Sequence, residues 1–356
     1  MTSERLTKNG YTAVACYMGF LLSAGTVVQI ITTRVLLLKD SGKRQLIPYL
    51  LNIVVSNSLV ILGSFPTTFI SSLRNGWYFS DAVCRFSGLI AGVGCIAMIA
   101  TMACITVKVH FLVKHQNAVV NHIINKPEGK SYIKVLAAIW IYSFLLMLPP
   151  IVGWTDMELE AAETNCVPDW SPESLPDKIY IIFMFVFAYV VPVGLSICFL
   201  FKTQRKLSSH INDMGQQFAN IRLGSLRSIY KMSAVAVIAF SLAWLPYGLF
   251  VVISLSTGNK KIFSPEGTMI PALTAKTSVI INPFIYALVL PRFRQSVIRL
   301  FLCNKGNIGS QNDNAIAVEA NLNSNRLVGK RGSQIVNDGN GSGTKLPKVE
   351  DQHVRK

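Results

Sequence analysis

Seven apolar stretches, each long enough to cross a bilayer, run through the chain up to residue 290 and are separated by polar segments. They cover Tyr11–Leu38, Leu46–Leu73, Val83–Val113, Ile133–Trp154, Ile179–Phe201, Ile229–Leu255 and Met269–Leu290. A hydrocarbon core takes about 20 residues of helix. A segment in lipid must also satisfy its own backbone, so the pattern predicts an all-α membrane protein built as a seven-transmembrane helix bundle. Pro291–Leu302 follows a different rule. Pro291 suits a first helical position; Phe293, Val297, Ile298 and Phe301 face lipid while Arg292, Arg294 and Arg299 face headgroups, as in a short amphipathic eighth helix. Residues 304–356 are rich in Asn, Gly and Ser and nearly free of aromatic residues, the composition of a disordered tail. The expected organisation is a short amino-terminal segment over 1–10, the bundle over 11–290, a membrane-surface helix over 291–303 and a tail over 304–356. The first apolar stretch is too long for a cleavable leader and acts as its own insertion signal.

Composition narrows the classes. The chain is 51% hydrophobic and 15% charged, with mean hydropathy +0.42, against about 25% charge in soluble domains. A soluble enzyme is excluded on this ground. The net charge of +16 invites a nucleic-acid partner, but in so apolar a chain it marks the inner loops of a membrane protein. The loops holding Lys39, Lys43, Arg44, Lys126, Lys130, Arg205 and Lys206 carry about twice the Lys and Arg of those holding Arg74, Lys178, Lys260 and Lys261. A multi-pass protein of the cell membrane is expected, with its amino terminus extracellular and its carboxyl terminus cytoplasmic. Cys303, just after the amphipathic helix, is a candidate palmitoylation site.

The seven spans contain no Asp or Glu, yet Lys276 stands about two turns inside the seventh. An ionisable residue at that depth is a functional candidate. Snorkelling to the interface is the bland reading. Covalent chemistry is the sharper one: burial frees the amine to attack an aldehyde and form a Schiff base. A protonated Schiff base is a buried cation and needs a counterion. That acid has to come from the outer loop between spans four and five, which holds Asp156, Glu158, Glu160, Glu163, Asp169, Glu173 and Asp177. Cys84, at the start of span three, and Cys166, in the acidic loop, both lie on the oxidising side and are expected to form a disulfide that pins the loop over the bundle.

These residues carry a family resemblance. Ala275-Lys276-Thr277-Ser278, followed by Asn282-Pro283-Phe284-Ile285-Tyr286 and Phe293-Arg294, resembles span seven of an animal opsin, a retinal-binding member of the rhodopsin-like G-protein-coupled receptors. Trp244-Leu245-Pro246-Tyr247 matches the span-six aromatic motif, and Cys166-Val167-Pro168-Asp169-Trp170 resembles the opsin lid loop. The resemblance implies that Lys276 holds retinal, 11-cis or all-trans, as a Schiff base. It further implies that Glu160, six residues before Cys166, is the counterion, ahead of Glu163 and Asp169, because the vertebrate counterion position is Ser87 here. The chromophore slot would be lined by Gly88, Ala91, Cys95, Met184, Phe185, Ala188, Tyr189, Phe240, Trp244, Tyr247 and Ala272, with Trp170 in the lid.

Other positions depart from the family pattern. The acid-arginine-tyrosine triplet closing span three is Lys108-Val109-His110, and the partner of that arginine at the start of span six is Leu226. Asn57, Thr26 and Leu200 replace an aspartate, an asparagine and a tyrosine. Val109, Asn282, Pro283 and Tyr286 are the candidate signalling positions. The resemblance implies a light-sensing receptor partnered by retinal, the lipid bilayer, and a heterotrimeric G protein or arrestin. A retinal photoisomerase and a receptor working through other partners are the alternatives.

Overall fold

In the computed structural model, residues 5–38, 46–115, 131–160, 162–214, 216–259 and 262–302 are described. Cys303 and the whole tail therefore lie outside the described residues. The chain divides into a unit of Met1–Leu300 and a second from Phe301 onward. All of the helices below belong to the first, except the last two residues of the final one.

Six helical segments have the length and apolarity of membrane spans: Lys8–Leu37, Ile47–Leu73, Asp81–Lys114, Leu175–Asn212, Leu226–Thr257 and Pro265–Val289. A seventh apolar helix, Ser131–Met147, is shorter. This is the expected seven-helix bundle, and Pro291–Leu302 follows as the predicted extra helix. One boundary needs correction. Span four ends at Met147 rather than Trp154, and the chain from Leu148 to Trp154 is held by turn bonds such as Ile151 N–H to Leu148 O at 2.9 Å. Pro149 and Pro150 account for this, since neither has an N–H and each disfavours helix in the residue before it.

Proline also shapes the other spans. Span two breaks at Ser64, just before Pro66. Span five carries a wide π-turn over Val186–Val190, next to Pro192, which cannot donate to the Ala188 carbonyl. Span six runs through Pro246 within the unbroken helix Gln216–Thr257. Span seven splits at Thr277, one residue after Lys276, into Pro265–Lys276 and Ser278–Val289. Around the split, Ser278 Oγ donates to Ala275 O at 2.7 Å and Thr274 Oγ1 to Pro271 O at 2.8 Å. Such back-bonding bends helices.

Pro283 has a further effect. It lacks the N–H that the carbonyl of Val279, four residues earlier, would accept in a regular helix. Gln29, 3% exposed in span one, supplies a replacement: its Nε2 donates to Val279 O at 2.8 Å. A side chain of one span thus completes the backbone bonding of another.

The bundle has two large apolar clusters. One, towards the Cys84 end of span three, joins Tyr11, Met18, Ile61, Phe65, Tyr180, Tyr247 and Val279. The other, towards the Lys114 end, joins Leu50, Ile53, Met102, Ile105, Val109, Phe240 and Tyr286. A third and smaller cluster of Val113, Leu207, Leu223 and Leu226 closes spans three, five and six at that same end.

The Gln29 contact generates a prediction. Gln29→Leu leaves the Val279 carbonyl buried without a donor, so apparent stability in detergent falls by about 1–3 kcal/mol. Thermal unfolding followed by tryptophan fluorescence measures the loss.

Candidate functional site: a lidded slot around Lys276

The lid is a two-stranded antiparallel hairpin, β1 (Met157–Glu160) and β2 (Asn165–Pro168), with Leu159 opposite Cys166 and Glu160 opposite Asn165. Directly opposed residues project on the same face. Glu160 and Asn165, the last pair before the turn, therefore work together. The turn itself is tight: Ala162 and Glu163 adopt φ of 56° and 62°, and Thr164 N–H closes on Glu160 O at 3.2 Å. Span one holds this turn from the side, with Tyr11 OH donating to Ala162 O at 2.9 Å, and Arg5 pairs with Glu163 at 3.1 Å.

All four residues of β2 are buried, so the strand is sunk into the mouth of the bundle. The Cys84–Cys166 disulfide fixes it to span three. Gly88, one turn further along that span, permits the close approach. A Cβ there would lie 2.9 Å from the Cys166 backbone oxygen and 2.1 Å from Met157 Cε.

Beneath the lid lies a cavity of about 180 Å³. Gly88, Ala91, Cys95, Met184, Phe185, Ala188, Tyr189, Phe240, Trp244, Tyr247, Ala272 and Trp170 all border it, together with Lys276. The rings are ordered among themselves. Phe240 stacks on Trp244 with centroids 5.6 Å apart, and Trp244 meets Tyr247 edge-on at 5.9 Å. Trp244 Nε1 also donates to Ser278 Oγ at 3.1 Å, which ties the aromatic wall to the break in span seven.

The polar groups form a short network. Trp170 Nε1 donates to Tyr247 OH at 2.9 Å, and Tyr247 OH donates to Glu160 Oε2 at 2.9 Å. Glu160 is 8% exposed, and its Oε1 has no hydrogen-bond partner among the described residues. Burial pushes its carboxyl up to about 7, opposed by the Tyr247 hydrogen bond and the charge of Lys276. Glu160 does not touch the lysine directly. Lys276 Nζ donates instead to Asn165 Oδ1 at 3.2 Å, and Thr68 Oγ1 approaches the same oxygen at 3.5 Å. Asn165 was legible only as the neighbour of Cys166; the signal that would have found it is strand pairing with Glu160, which needs the turn position. Glu163 is engaged by Arg5, and Asp169 Oδ1 accepts from Ser171 N–H at 2.9 Å.

At the far end of span three, Val109 is 1% exposed inside the second apolar cluster. Lys108 lies over the Tyr49 ring at 5.1 Å, and His110 Nδ1 is 3.3 Å from Thr203 Oγ1. Asn282, Pro283 and Tyr286 are buried, with Asn282 Nδ2 3.7 Å from Met98 Sδ and Tyr286 edge-on to Phe293 at 5.9 Å.

The raised Glu160 carboxyl carries a sign. A carboxyl whose folded value lies above its unfolded value stabilises the fold at low pH and loses that contribution as pH rises through about 7. The stability of the ligand-free protein therefore falls between pH 4.5 and pH 7, by on the order of 3 kcal/mol once Glu160 is ionised. Thermal unfolding across that range shows the slope, and Glu160→Gln removes it.

Comparison with known proteins agrees with this architecture. Residues 9–286 match the family described as 7 transmembrane receptor (rhodopsin family). The chain is 25% identical over 262 residues to melanopsin of Rutilus rutilus, covering 70% of this chain and 50% of that protein. It is 25% identical to rhodopsin of Petromyzon marinus over 326 residues, covering 88% of this chain and 87% of the other. Squid rhodopsin superposes with a TM-score of 0.73 at 22% identity, over 87% of this chain and 92% of that one. The chain spans about half the length of the melanopsins it matches. The matched region reaches from span one into span seven, and the chain belongs to the rhodopsin family of seven-transmembrane receptors, where its likeness is to the opsins.

Proposed function

We propose that this protein is a light-sensing receptor that binds retinal at Lys276 and passes a conformational change to a partner on the cytoplasmic side. One observation carries the reading. The Lys276 amine borders an aromatic slot under a pinned lid, and the lid holds a buried carboxylate whose Oε1 is unpartnered among the described residues. An apolar slot with an amine in its wall and a buried carboxylate in the lid beside it fits a long conjugated aldehyde. Retinal, when bound, supplies an aldehyde that condenses with an amine and a double bond that light isomerises.

The remaining roles belong to the chain. Lys276 supplies the amine from the last residue before the break in span seven. Glu160 holds the compensating negative charge, positioned by Tyr247 and Trp170. Trp170 and the lid strand β2 shield the slot from water. Trp244 stands where a change of shape in the slot is felt, and its bond to Ser278 carries that change towards Asn282, Pro283 and Tyr286. The partner is a heterotrimeric G protein or arrestin, nucleic acid having no place in this reading. The distribution of Lys and Arg supports an amino terminus outside the cell.

A second reading rests on the opposite end of the bundle. Val109 and Leu226 are each 1% exposed in apolar clusters, where the family pattern carries an arginine and its partner. A retinal photoisomerase uses the slot without that contact, and so does a receptor working through another membrane protein.

Absorption spectroscopy tests the main proposal. Protein purified with 11-cis-retinal acquires a red-shifted band, and Lys276→Ala abolishes it; a band that survives the substitution overturns the assignment. Glu160→Gln removes the visible form near neutral pH. Light-driven nucleotide exchange in a G protein supports the receptor. Preferential uptake of all-trans-retinal with release of the 11-cis isomer, and no exchange, supports the isomerase.

A further inference from the structure

Lys276 has an immediate neighbour that the retinal reading does not use. Its Nζ donates to the neutral side-chain oxygen of Asn165 at 3.2 Å, while no direct ion pair joins it to Glu160 among the described residues. Asn165 is 7% exposed and held on three sides. It is paired in register with Glu160 across the hairpin, adjoins the disulfide residue Cys166, and receives Thr68 Oγ1 at 3.5 Å. A lysine nitrogen only donates when charged, so the acceptor facing it has to be Oδ1.

We infer that Asn165 is the direct hydrogen-bond acceptor of the Lys276 nitrogen and sets how strongly that nitrogen keeps its proton, with Glu160 acting across it from the other strand. The inference deepens the retinal reading and rests on it for its pigment arm alone. Three observations support it. The contact is made by a strand buried on both faces, so Asn165 cannot swing away without moving the lid. The amide is neutral, so it orients the nitrogen without cancelling its charge, which leaves the carboxylate one side chain away. Finally, Glu160 Oε2 is already committed to Tyr247, which holds the carboxylate at that remove. The ionisable groups facing Lys276 are Glu160 from the lid and Cys95 from span three, with Tyr247 from span six beside Glu160.

A ligand-free test separates this inference from the chromophore. Reductive methylation of the full-length chain with formaldehyde and cyanoborohydride, read at Lys276 by mass spectrometry, reports the fraction of free amine. Asn165→Asp places a carboxylate at the contact and slows labelling near pH 8 by at least about tenfold, since an opposite charge within about 4–6 Å favours the ammonium by one to three pK units. Asn165→Leu removes the acceptor and speeds labelling. Equal rates in wild type and both variants, with the unfolding temperature unchanged, overturn the inference whether or not a pigment forms.

The second arm uses the pigment. In the Glu160→Gln background, Asn165→Asp restores the visible band at neutral pH, because the charge has moved to the residue already in contact. A double variant that folds and binds retinal but still lacks the visible band counts against Asn165. A wild type without any band counts against the retinal reading instead and leaves the labelling result to decide the contact.

Discussion

A cation inside an apolar bundle needs a negative charge close by, and none of the seven spans carries a carboxylate at that depth. The buried carboxylate that lies near it, Glu160, comes from outside the bundle, on a hairpin sunk into its mouth. Everything near Lys276 depends on how firmly that hairpin is held. The Cys84–Cys166 bond anchors one strand to span three, the missing side chain at Gly88 lets the strand settle against the helix, and Tyr11 grips the turn from span one. Asn165 borders the slot, and the register places Glu160 opposite it on the other strand.

The same accounting of polar groups runs through the spans. A backbone carbonyl freed by a proline inside the bundle needs another donor, and a neighbouring helix is one source of it. Gln29 does this for the carbonyl that Pro283 abandons. The hydroxyls of Thr274 and Ser278 turn back on their own helix at the break beside Lys276. Lys276 thus sits beside the break in span seven.

How far the sequence could be read follows from these particulars. The spans were legible because lipid imposes a single length and a single polarity. Lys276 stood out because no acid accompanied it. All twelve residues that the family resemblance named for the slot border the cavity. Three features lay beyond that reading. The end of span four depends on Pro149 and Pro150, whose effect was masked by the apolar residues after them. The place of Asn165 depends on a hairpin register that no local pattern encodes. Gln29 is a polar residue in an apolar stretch, and its purpose becomes visible only once span seven lies beside span one.

The opposite end of the bundle is closed by Val113, Leu207, Leu223 and Leu226, with Val109 buried nearby. Opposite charges at such a junction would weaken with dissolved salt, over a Debye length of about 8 Å at physiological ionic strength. Aliphatic contact has no such dependence. Its strength follows the hydration of apolar surface, which weakens on cooling and leaves a heat-capacity signature when the contact opens. The contact between spans three, five and six at this end is therefore far more sensitive to temperature than to dissolved salt.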